Sequence, residues 1–388
     1  MLQLAAPRSA GILKDLVGFD TTSRNSNLAL IAHVEAFFAA RGIATTRVLD
    51  ETGEKANLIA TIGPKDVPGY VLSGHTDVVP VDGQNWTSDA FTLTERDGLL
   101  YGRGSCDMKG FLACCLAKVD DMLALDLAKP IHFAFSYDEE VGCKGVPSLI
   151  ERLVETVALP EACFVGEPTE MQVIIGHKAK RSYRAIVTGR TCHSSLAPQG
   201  VNAIDHAARL ILKVREMGME LADGPSDPLY DVPVTTAHTG TVSGGTALNI
   251  VPDHCEFAFE FRVLPGEDAD ALVDEVMRFA REEIEPEMKA RAPETGIAFE
   301  QISSFPGLDT AADADVTRLA KRLAERNDHA KVAYGTEGGR FVEIAAIPTV
   351  VIGPGSIEQA HKADEFIAVS ELVKCEAFLD RLIEEAAR

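Results

Sequence analysis

Long apolar runs are missing from this sequence, and so is any dense cluster of basic residues. A membrane-spanning helix needs about 20 consecutive apolar residues, and no segment of the chain offers them. The opening residues Met-Leu-Gln-Leu-Ala-Ala-Pro lack the charged start and apolar stretch of a secretory signal. These absences favour a soluble, cytoplasmic protein that does not act at a membrane.

Basic side chains are also few relative to acidic ones. The chain has 59 Asp and Glu against 37 Lys and Arg, which gives a formal charge of −22. Surfaces that bind nucleic acid are basic, so nucleic acid is not an expected partner. The eight cysteines include no Cys-x-x-Cys pair, and we expect them to be reduced and mostly buried.

The length and the order of the predicted elements indicate two domains. A chain of 388 residues is longer than the roughly 250–300 residues at which a single core stops growing. Up to about residue 180, short apolar strands alternate with helices, which predicts an α/β domain with a mainly parallel sheet between layers of helices. Residues 180–304 instead follow the order strand, helix, two strands, helix, strand, which predicts an inserted α+β module of the split β-α-β, ferredoxin-like type. The expected domains are therefore 1–179 with 305–388, and 180–304.

The segment Tyr70–Pro80 is the most informative stretch of the chain. Its apolar strand leads into His75 and Asp77, two residues apart, so their side chains leave an extended backbone on the same side. Asp77 can then join a metal site or accept the ring N–H of His75 and fix its tautomer. A core histidine bonded to a neighbouring aspartate is the alternative.

Further histidines and carboxylates follow other predicted strands or glycine turns. Ligands of open α/β sheets collect at the carboxyl ends of strands, so these side chains are expected to converge. Imidazole nitrogens and carboxylate oxygens suit Zn²⁺, and also Co²⁺ or Mn²⁺. The candidate ligands and their neighbours are His75, Asp107, Glu139, Glu140, Glu167 and His361.

The adjacent residues Glu139 and Glu140 cannot have the same role, because neighbouring side chains point in different directions. One can bind metal while the other stays free to move a proton as a general acid and base. A solvated acidic turn is the alternative for an isolated pair of this kind.

Taken together, five segments of the chain resemble the M20 family of co-catalytic zinc aminoacylases and peptidases. The resemblance extends over nearly the whole chain and keeps the family's order of motifs. The segments are Ser-Gly-His-Thr-Asp-Val-Val-Pro (73–80), Tyr-Gly-Arg-Gly-Ser-Cys-Asp-Met-Lys-Gly (101–110), Asp-Glu-Glu (138–140), Gly-Glu-Pro-Thr (166–169) and the segment around His361.

The resemblance implies a fold and a site. It implies a zinc-peptidase-like α/β sandwich as the catalytic domain, with the inserted module as a lid and dimerisation domain. Two Zn²⁺ ions are expected, with Co²⁺ as a possible substitute, and the Asp107–Met108 peptide bond is expected to be cis. The implied metal ligands are His75 and Glu167 for one ion, Glu140 and His361 for the other, and Asp107 as the bridge; Asp77 would orient His75, and Glu139 would be the general acid and base.

Three residues of the inserted module match positions that the family uses at its active site. His193 matches a lid histidine that reaches the active site of the second subunit and steadies the developing oxyanion. Asn249 and Arg262 match positions that hold the carbonyl and the carboxylate of the substrate, a task for which Arg is suited by its bidentate geometry. A homodimer formed through the inserted module is therefore expected.

Within the family, some segments favour one substrate. Asn85-Trp86-Thr87, Gly176-His177-Lys178 and Gly353–His361 are similar to a branch that removes acetate from N2-acetyl-L-ornithine in arginine biosynthesis. Gly335–Phe341 partly resembles a branch that acts on succinyl-diaminopimelate. The alternatives are that desuccinylase activity, a broader N-acyl-amino-acid or dipeptide hydrolase, or a member of the family without catalytic activity.

Overall fold

A computed structural model describes residues 7–388, which contain sixteen strands. Their bounds, in chain order from β1 to β16, are Thr45–Leu49, Ala56–Ile62, Tyr70–His75, Thr94–Arg96, Leu99–Tyr101, Ile131–Ser136, Ala162–Val165, Ile174–His177, Ala179–Thr188, Thr236–Gly244, His254–Val263, Gly296–Phe305, Leu308–Asp309, Ala330–Val332, Thr349–Val351 and Phe366–Ala368.

The same residues contain eleven α-helices. From α1 to α11 they are Arg8–Val17, Leu28–Ala39, Lys109–Ala117, Val119–Leu123, Val146–Thr156, Ala203–Ala222, Ala269–Phe279, Glu285–Arg291, Asp315–Leu323, Gly338–Ala345 and Val369–Ala386. Two short 3-10 helices, Ser194–Gln199 and Ile357–Gln359, and a π-helical turn at Ala280–Ile284 complete the set. Among these described helices, none is both long enough and apolar enough to cross a bilayer.

The chain divides into two compact units. The first runs up to Gly176 and resumes at Leu308–Lys331 and Thr336–Arg388, and the second comprises His177–Gly307 and Val332–Gly335. The short segment 332–335 belongs to the second unit, although the sequence placed it with the first.

A nine-stranded sheet forms the centre of the first unit, in the order β1-β2-β6-β3-β7-β15-β8-β13, with β14 paired to β8. Within this order, the four consecutive strands β6, β3, β7 and β15 run parallel to one another. Their residues are buried, as expected for strands covered on both faces. The carboxyl ends of β3, β6 and β7 therefore meet at one edge of the sheet.

Helices cover both faces of this sheet. Side chains of α1, α2, α3 and α11 share one hydrophobic cluster with the central strands. The helices α5 and α10 contact each other and lie against β2, β6, β7 and β15. The α/β class predicted for this part of the chain is confirmed.

The prediction of a mainly parallel sheet was wrong at its margins. The strands β1, β2 and β6 pair antiparallel, and so do β15 and β8. Only parallel neighbours require a crossover connection, which is usually a helix. The pairs β1–β2 and β2–β6 are antiparallel, so the alternation of strands and helices in the sequence does not reveal their direction. A small separate sheet, in the order β16-β5-β4, was also not predicted.

The second unit is the predicted α+β module. Its four-stranded antiparallel sheet has the order β10-β11-β9-β12 and is built from the chain order strand, helix, two strands, helix, strand. Alternate residues of β11 are buried against α6 and α7, which gives this sheet one apolar face. The fold class expected from the sequence, an α/β domain with an inserted ferredoxin-like module, is confirmed.

Candidate metal centre

His75 is the last residue of β3 and is almost completely buried. Its Nδ1 donates a hydrogen bond to the backbone carbonyl oxygen of Asp77 over 2.9 Å, while the Oδ1 atom of Asp77 lies 3.6 Å from the same nitrogen. Because Nδ1 is the donor to this carbonyl, Nε2 is the nitrogen that can bind a metal once it gives up its own proton. The backbone of Asp77, rather than its carboxylate, therefore makes the shorter contact to the ring.

Asp107 lies in the turn that precedes α3, and its peptide bond to Met108 is cis, as the family resemblance predicts. The two carboxylate oxygens of Asp107 face different histidines. Oδ1 is 3.1 Å from Nε2 of His75, and Oδ2 is 3.2 Å from Nε2 of His361. Asp107 thus lies between the two imidazoles, which is the arrangement a bridging ligand requires.

Glu140 and Glu167 complete the two sides of this cluster. Nε2 of His361 is 3.1 Å from the Oε2 atom of Glu140, and Nε2 of His75 is 3.8 Å from the Oε1 atom of Glu167. Glu167 follows β7 and Glu140 follows β6, so both come from the carboxyl edge of the parallel strands. Asp107 and His361 do not follow strands of the central sheet, contrary to the sequence expectation for those two residues.

The spacing and chemistry of these side chains fit a metal centre. Two ligands of one tetrahedral zinc ion, each roughly 2.0–2.2 Å from the metal, lie about 3.4 Å from each other. The histidine-to-carboxylate distances above range from 3.1 to 3.8 Å. One candidate ligand atom from each of His75, Asp107 and Glu140 also lies within 4.8 Å of the other two. The nitrogen and oxygen donors therefore match what zinc or cobalt binds.

The electrostatics of the cluster favour a cation in the same way. Burial raises the pKa of Glu140 to about 7, helped by the charge on Asp107. Burial also raises the pKa of Glu167 well above its ordinary value. For Asp107, burial opposes ionisation but hydrogen bonds from His361 and His75 outweigh it, so its pKa is well below its ordinary value. Several buried carboxylates beside two imidazoles form a site that a divalent cation neutralises.

Glu139 lies beside this cluster and differs from Glu140 in its contacts. Its Oε1 atom accepts a hydrogen bond from the thiol of Cys143 over 3.3 Å, whereas Glu140 contacts His361. Burial raises the pKa of Glu139 to about 8, with the charges of Glu140 and Asp77 adding to the effect and His75 opposing it. A carboxyl with a pKa near neutrality can both take up and release a proton at physiological pH.

The three remaining candidates belong to the second unit. His193 and Asn249 are neighbours there, because the backbone N–H of Ser194 donates to the carbonyl oxygen of Asn249 over 2.9 Å and His193 forms a β-bridge with Ile250. Both residues are exposed. Arg262 is on β11, and its Nε donates to the Oε1 atom of Glu260 over 3.0 Å.

Two buried residues near the site were not predicted from the sequence. Glu337 is fully buried and accepts hydrogen bonds from Ser73 on β3 over 2.6 Å and from Ser136 on β6 over 2.7 Å. In the sequence, Cys143 is only one of eight cysteines that are expected to be reduced. No periodic pattern marks either residue, since both lie in irregular segments between a strand and a helix.

Two histidines, His75 buried and His361 half exposed, meet several buried carboxylates at the edge of an α/β sheet, which is the arrangement of a divalent-metal site. A model of peptidase family M20/M25/M40 matches residues 71–385. The acetylornithine deacetylase of Myxococcus xanthus is 35% identical over 387 residues, which cover 97% of this chain and 97% of that protein.

Solved structures show the same fold. The aminopeptidase PepT of Bacillus cereus is 25% identical, has a TM-score of 0.71 and is covered over 98% of each chain. A Bacillus subtilis protein described as a dinuclear metal binding peptidase from the M20 family is 16% identical, with a TM-score of 0.66 and coverage of 97% of this chain and 96% of that one. The chain belongs to peptidase family M20/M25/M40, and the family and its site make it a metal-dependent amide hydrolase.

Proposed function

We propose that this chain hydrolyses N2-acetyl-L-ornithine to L-ornithine and acetate, as a cytoplasmic enzyme of arginine biosynthesis. The observation that carries the proposal is the position of Asp107 between His75 and His361. The choice of substrate is supported by similarity, because the chain is 35% identical to a Myxococcus xanthus acetylornithine deacetylase over 97% of both proteins.

Two zinc ions, or cobalt ions in their place, are proposed as the cofactors. His75 and Glu167 would hold one ion, Glu140 and His361 would hold the other, and Asp107 would contact both. When bound, the ions would polarise the amide carbonyl of the substrate and make water at the site more acidic. The contacts of 3.1 Å and 3.2 Å on opposite oxygens of Asp107 support this division.

Glu139 is proposed as the general base and acid. Its carboxylate takes a proton from the attacking water and returns it to the α-amine as the amide bond breaks. Burial raises the pKa of Glu139 to about 8 in the metal-free protein, and bound cations would lower it, so that the carboxylate form can accept a proton from water near neutral pH. Asp77 is proposed to position Glu139, because the Oδ1 atom of Asp77 accepts a hydrogen bond from the backbone N–H of Glu139 over 3.1 Å.

His193 is proposed as an oxyanion donor that acts in the active site of a second subunit. The backbone N–H of Ser195 donates to Nδ1 of His193 over 3.2 Å, and the Ser195 hydroxyl lies 2.8 Å from the same nitrogen. An accepting Nδ1 leaves the hydrogen of a neutral ring on Nε2. The exposed edge of the imidazole is then a hydrogen-bond donor, as oxyanion stabilisation requires.

Asn249 and Arg262 are proposed to hold the carbonyl and the α-carboxylate of the substrate. In this structure Arg262 pairs with Glu260, which also lies 3.6 Å from Lys180. Two cations share one carboxylate here, so an incoming substrate carboxylate finds an excess of positive charge. Arg262 can therefore bind the substrate without leaving Glu260 unpaired.

A homodimer is proposed through the second unit. Strand β10 lies at the edge of its sheet, and an edge strand offers backbone groups for pairing with another chain. Large apolar side chains of this unit are also exposed, as at the surface of a protein that associates. They include Leu212, Met219, Val242 and Leu248.

Subunit mixing tests both the dimer and the role of His193. Glu139→Ala and His193→Ala homodimers are each expected to be nearly inactive. When equal amounts are denatured and refolded together, roughly a quarter of all sites combine an intact Glu139 with an intact His193 from the other subunit. Recovery of that fraction of the activity supports the proposal, and no recovery contradicts it.

The substrate is tested by comparing zinc-loaded protein on N2-acetyl-L-ornithine and on N-succinyl-diaminopimelate. We expect kcat/KM to be at least about 100-fold higher for acetylornithine, a difference in transition-state stabilisation of about 2.7 kcal/mol. A preference for the succinyl substrate, or for a dipeptide, contradicts the proposed substrate and shows that the same active site hydrolyses a different amide. An inactive protein that binds metal supports a non-catalytic family member.

The burial of Glu337 bears on this choice. The segment Gly335–Phe341 is the part of the sequence that partly resembles the desuccinylase branch. Its acidic residue is bonded to Ser73 and Ser136 and is fully buried, so its side chain offers no exposed group for a substrate. The contacts of Glu337 therefore give that resemblance no support as evidence for a succinyl substrate.

A further inference from the structure

One buried carboxylate organises the turn that presents Asp107. Glu365 is 1% exposed, and it accepts a hydrogen bond of 2.6 Å from the guanidinium of Arg103. It also accepts the backbone N–H groups of Gly104 over 3.1 Å, Cys106 over 2.9 Å and Asp107 over 3.1 Å. Four donors therefore converge on a single side chain, and three of them belong to the backbone of the Asp107 turn.

The same ion pair is connected to the segment that carries His361. Nη2 of Arg103 donates to the Oε1 atom of Gln84 over 2.6 Å, and Nε2 of Gln84 donates to the backbone carbonyl oxygen of His361 over 3.0 Å. The indole N–H of Trp86 donates to the same oxygen of Gln84 over 3.0 Å. Gln84 is thus held by two donors while its amide holds the backbone of His361.

His361 needs such support. Its φ angle is 62°, in the left-handed region that residues with a Cβ rarely adopt. Its side chain is 53% exposed, so packing restrains the ring less than it restrains the buried His75. The bond from Gln84 acts directly on the backbone of this residue.

We propose that Glu365 is a positioning residue of the metal centre: with Arg103 and Gln84 it fixes the spacing between Asp107 and His361. The inference rests on the proposed metal site and adds groups that touch neither metal nor substrate. Its charge is essential to the argument, because all four partners of the carboxylate are donors. In a Glu365→Gln variant the side-chain NH₂ group faces N–H groups, so part of the network loses its acceptor.

Zinc binding to metal-free protein tests the inference. The affinity is measured by competition with a chromophoric chelator, without any substrate. We expect Glu365→Gln to weaken the binding of both ions by about 10- to 100-fold, the usual effect of changing groups that support metal ligands. We expect Gln84→Ala to weaken only the ion held by Glu140 and His361.

Glu285→Gln is the matched control. Glu285 also accepts hydrogen bonds from a backbone N–H group, that of Ile297 over 2.8 Å, and from a charged side chain, that of Lys289 over 2.5 Å. It differs from Glu365 in that it lies in the second unit. The zinc affinity of the Glu285→Gln variant is expected to equal that of the parent protein. Far-ultraviolet circular dichroism and thermal unfolding of the metal-free proteins show whether each variant is folded.

The outcomes separate this inference from the proposed site. A folded Glu365→Gln variant with parental affinity for both ions overturns the positioning role. If that variant does not fold, Gln84→Ala decides, and parental affinity for both ions in it overturns the role equally. Parent protein that binds no zinc contradicts the metal site itself.

Discussion

The Oδ1 atom of Asp77 lies 3.1 Å from the backbone nitrogen of Glu139 and accepts its hydrogen bond. The second carboxylate oxygen accepts the hydroxyl of Ser23 over 2.7 Å and the backbone N–H of Glu140 over 3.3 Å. Asp77 therefore connects the end of β3 to the turn that carries the proposed general base and a proposed metal ligand. It supports two neighbouring parts of the site at once.

We predict that Asp77→Asn lowers kcat by about 10- to 100-fold with a smaller change in KM. An asparagine side chain keeps one acceptor but turns the other into a donor, so one of the backbone N–H groups at 139 and 140 loses its partner. Steady-state kinetics on the zinc-loaded variant measures the effect. Ser23→Ala is the control, because it removes a single hydroxyl donor from Asp77, and its kcat is expected to stay closer to that of the parent.

We predict that Glu139→Ala lowers kcat by at least about 100-fold while zinc is retained, because the variant loses the group that moves the proton. Activity and metal content are measured on the same preparation, the latter by atomic emission. Glu151→Ala, a change at an exposed position of α5, is the control for removing a carboxylate. A purified Glu139→Ala protein with parental activity is incompatible with the proposed mechanism.

Zinc binding near pH 6.5 is predicted to release protons. In the metal-free protein burial raises the pKa of Glu139 to about 8 and of Glu140 to about 7, so both groups largely hold protons at pH 6.5. A nearby cation favours the carboxylate form and lowers both pKa values, so protons leave. Isothermal titration calorimetry in two buffers with different ionisation enthalpies measures the number released. Proton uptake on binding would contradict the charge distribution described here.

A stability prediction concerns His132, a buried residue of β6. Burial, with a smaller effect of Lys65, lowers its pKa to about 4. In the unfolded chain His132 takes up a proton near pH 6.5, whereas in the folded protein it stays neutral down to about pH 4. The stability that this group contributes is therefore fully present above pH 6.5 and is lost as the pH falls towards 4. The full effect is roughly 3 kcal/mol.

Replacing His132 by Gln is predicted to make the unfolding free energy of the metal-free protein depend less on pH between 6.5 and 4.5. Urea unfolding followed by the fluorescence of Trp86, the single tryptophan, reports on the first unit. His238→Gln, at an exposed histidine, is the control and is expected to leave the slope unchanged. A parental slope in His132→Gln contradicts the assignment of this group.

The sequence predicted the parts of the fold that depend on local patterns. The alternating burial of β11 and the order of elements in the second unit follow from spacing and from turn residues, so the inserted module could be recognised. The direction of β1, β2 and β8 could not, because it depends on which strands meet in space. The helix α10 begins with Gly338 and Gly339, two poor helix formers, and its formation depends on tertiary contacts.

The same distinction applies to the site. His75 and Glu167 stand at or just after the ends of buried strands, and their convergence follows from the parallel sheet. His361 was also expected to follow a strand, but it lies after an irregular segment in a left-handed conformation, so the sheet does not explain its position. Glu365 and Gln84 are far from each other in the chain, and their shared partner Arg103 could not be inferred from spacing.

Anomalous diffraction from crystals of the zinc-loaded protein tests the central claim most directly. The account predicts two zinc peaks, with a carboxylate oxygen of Asp107 roughly 2.0–2.2 Å from each. His75 and Glu167 are predicted to contact one ion, and Glu140 and His361 the other. A single peak, or an Asp107 that contacts neither ion, would contradict the account.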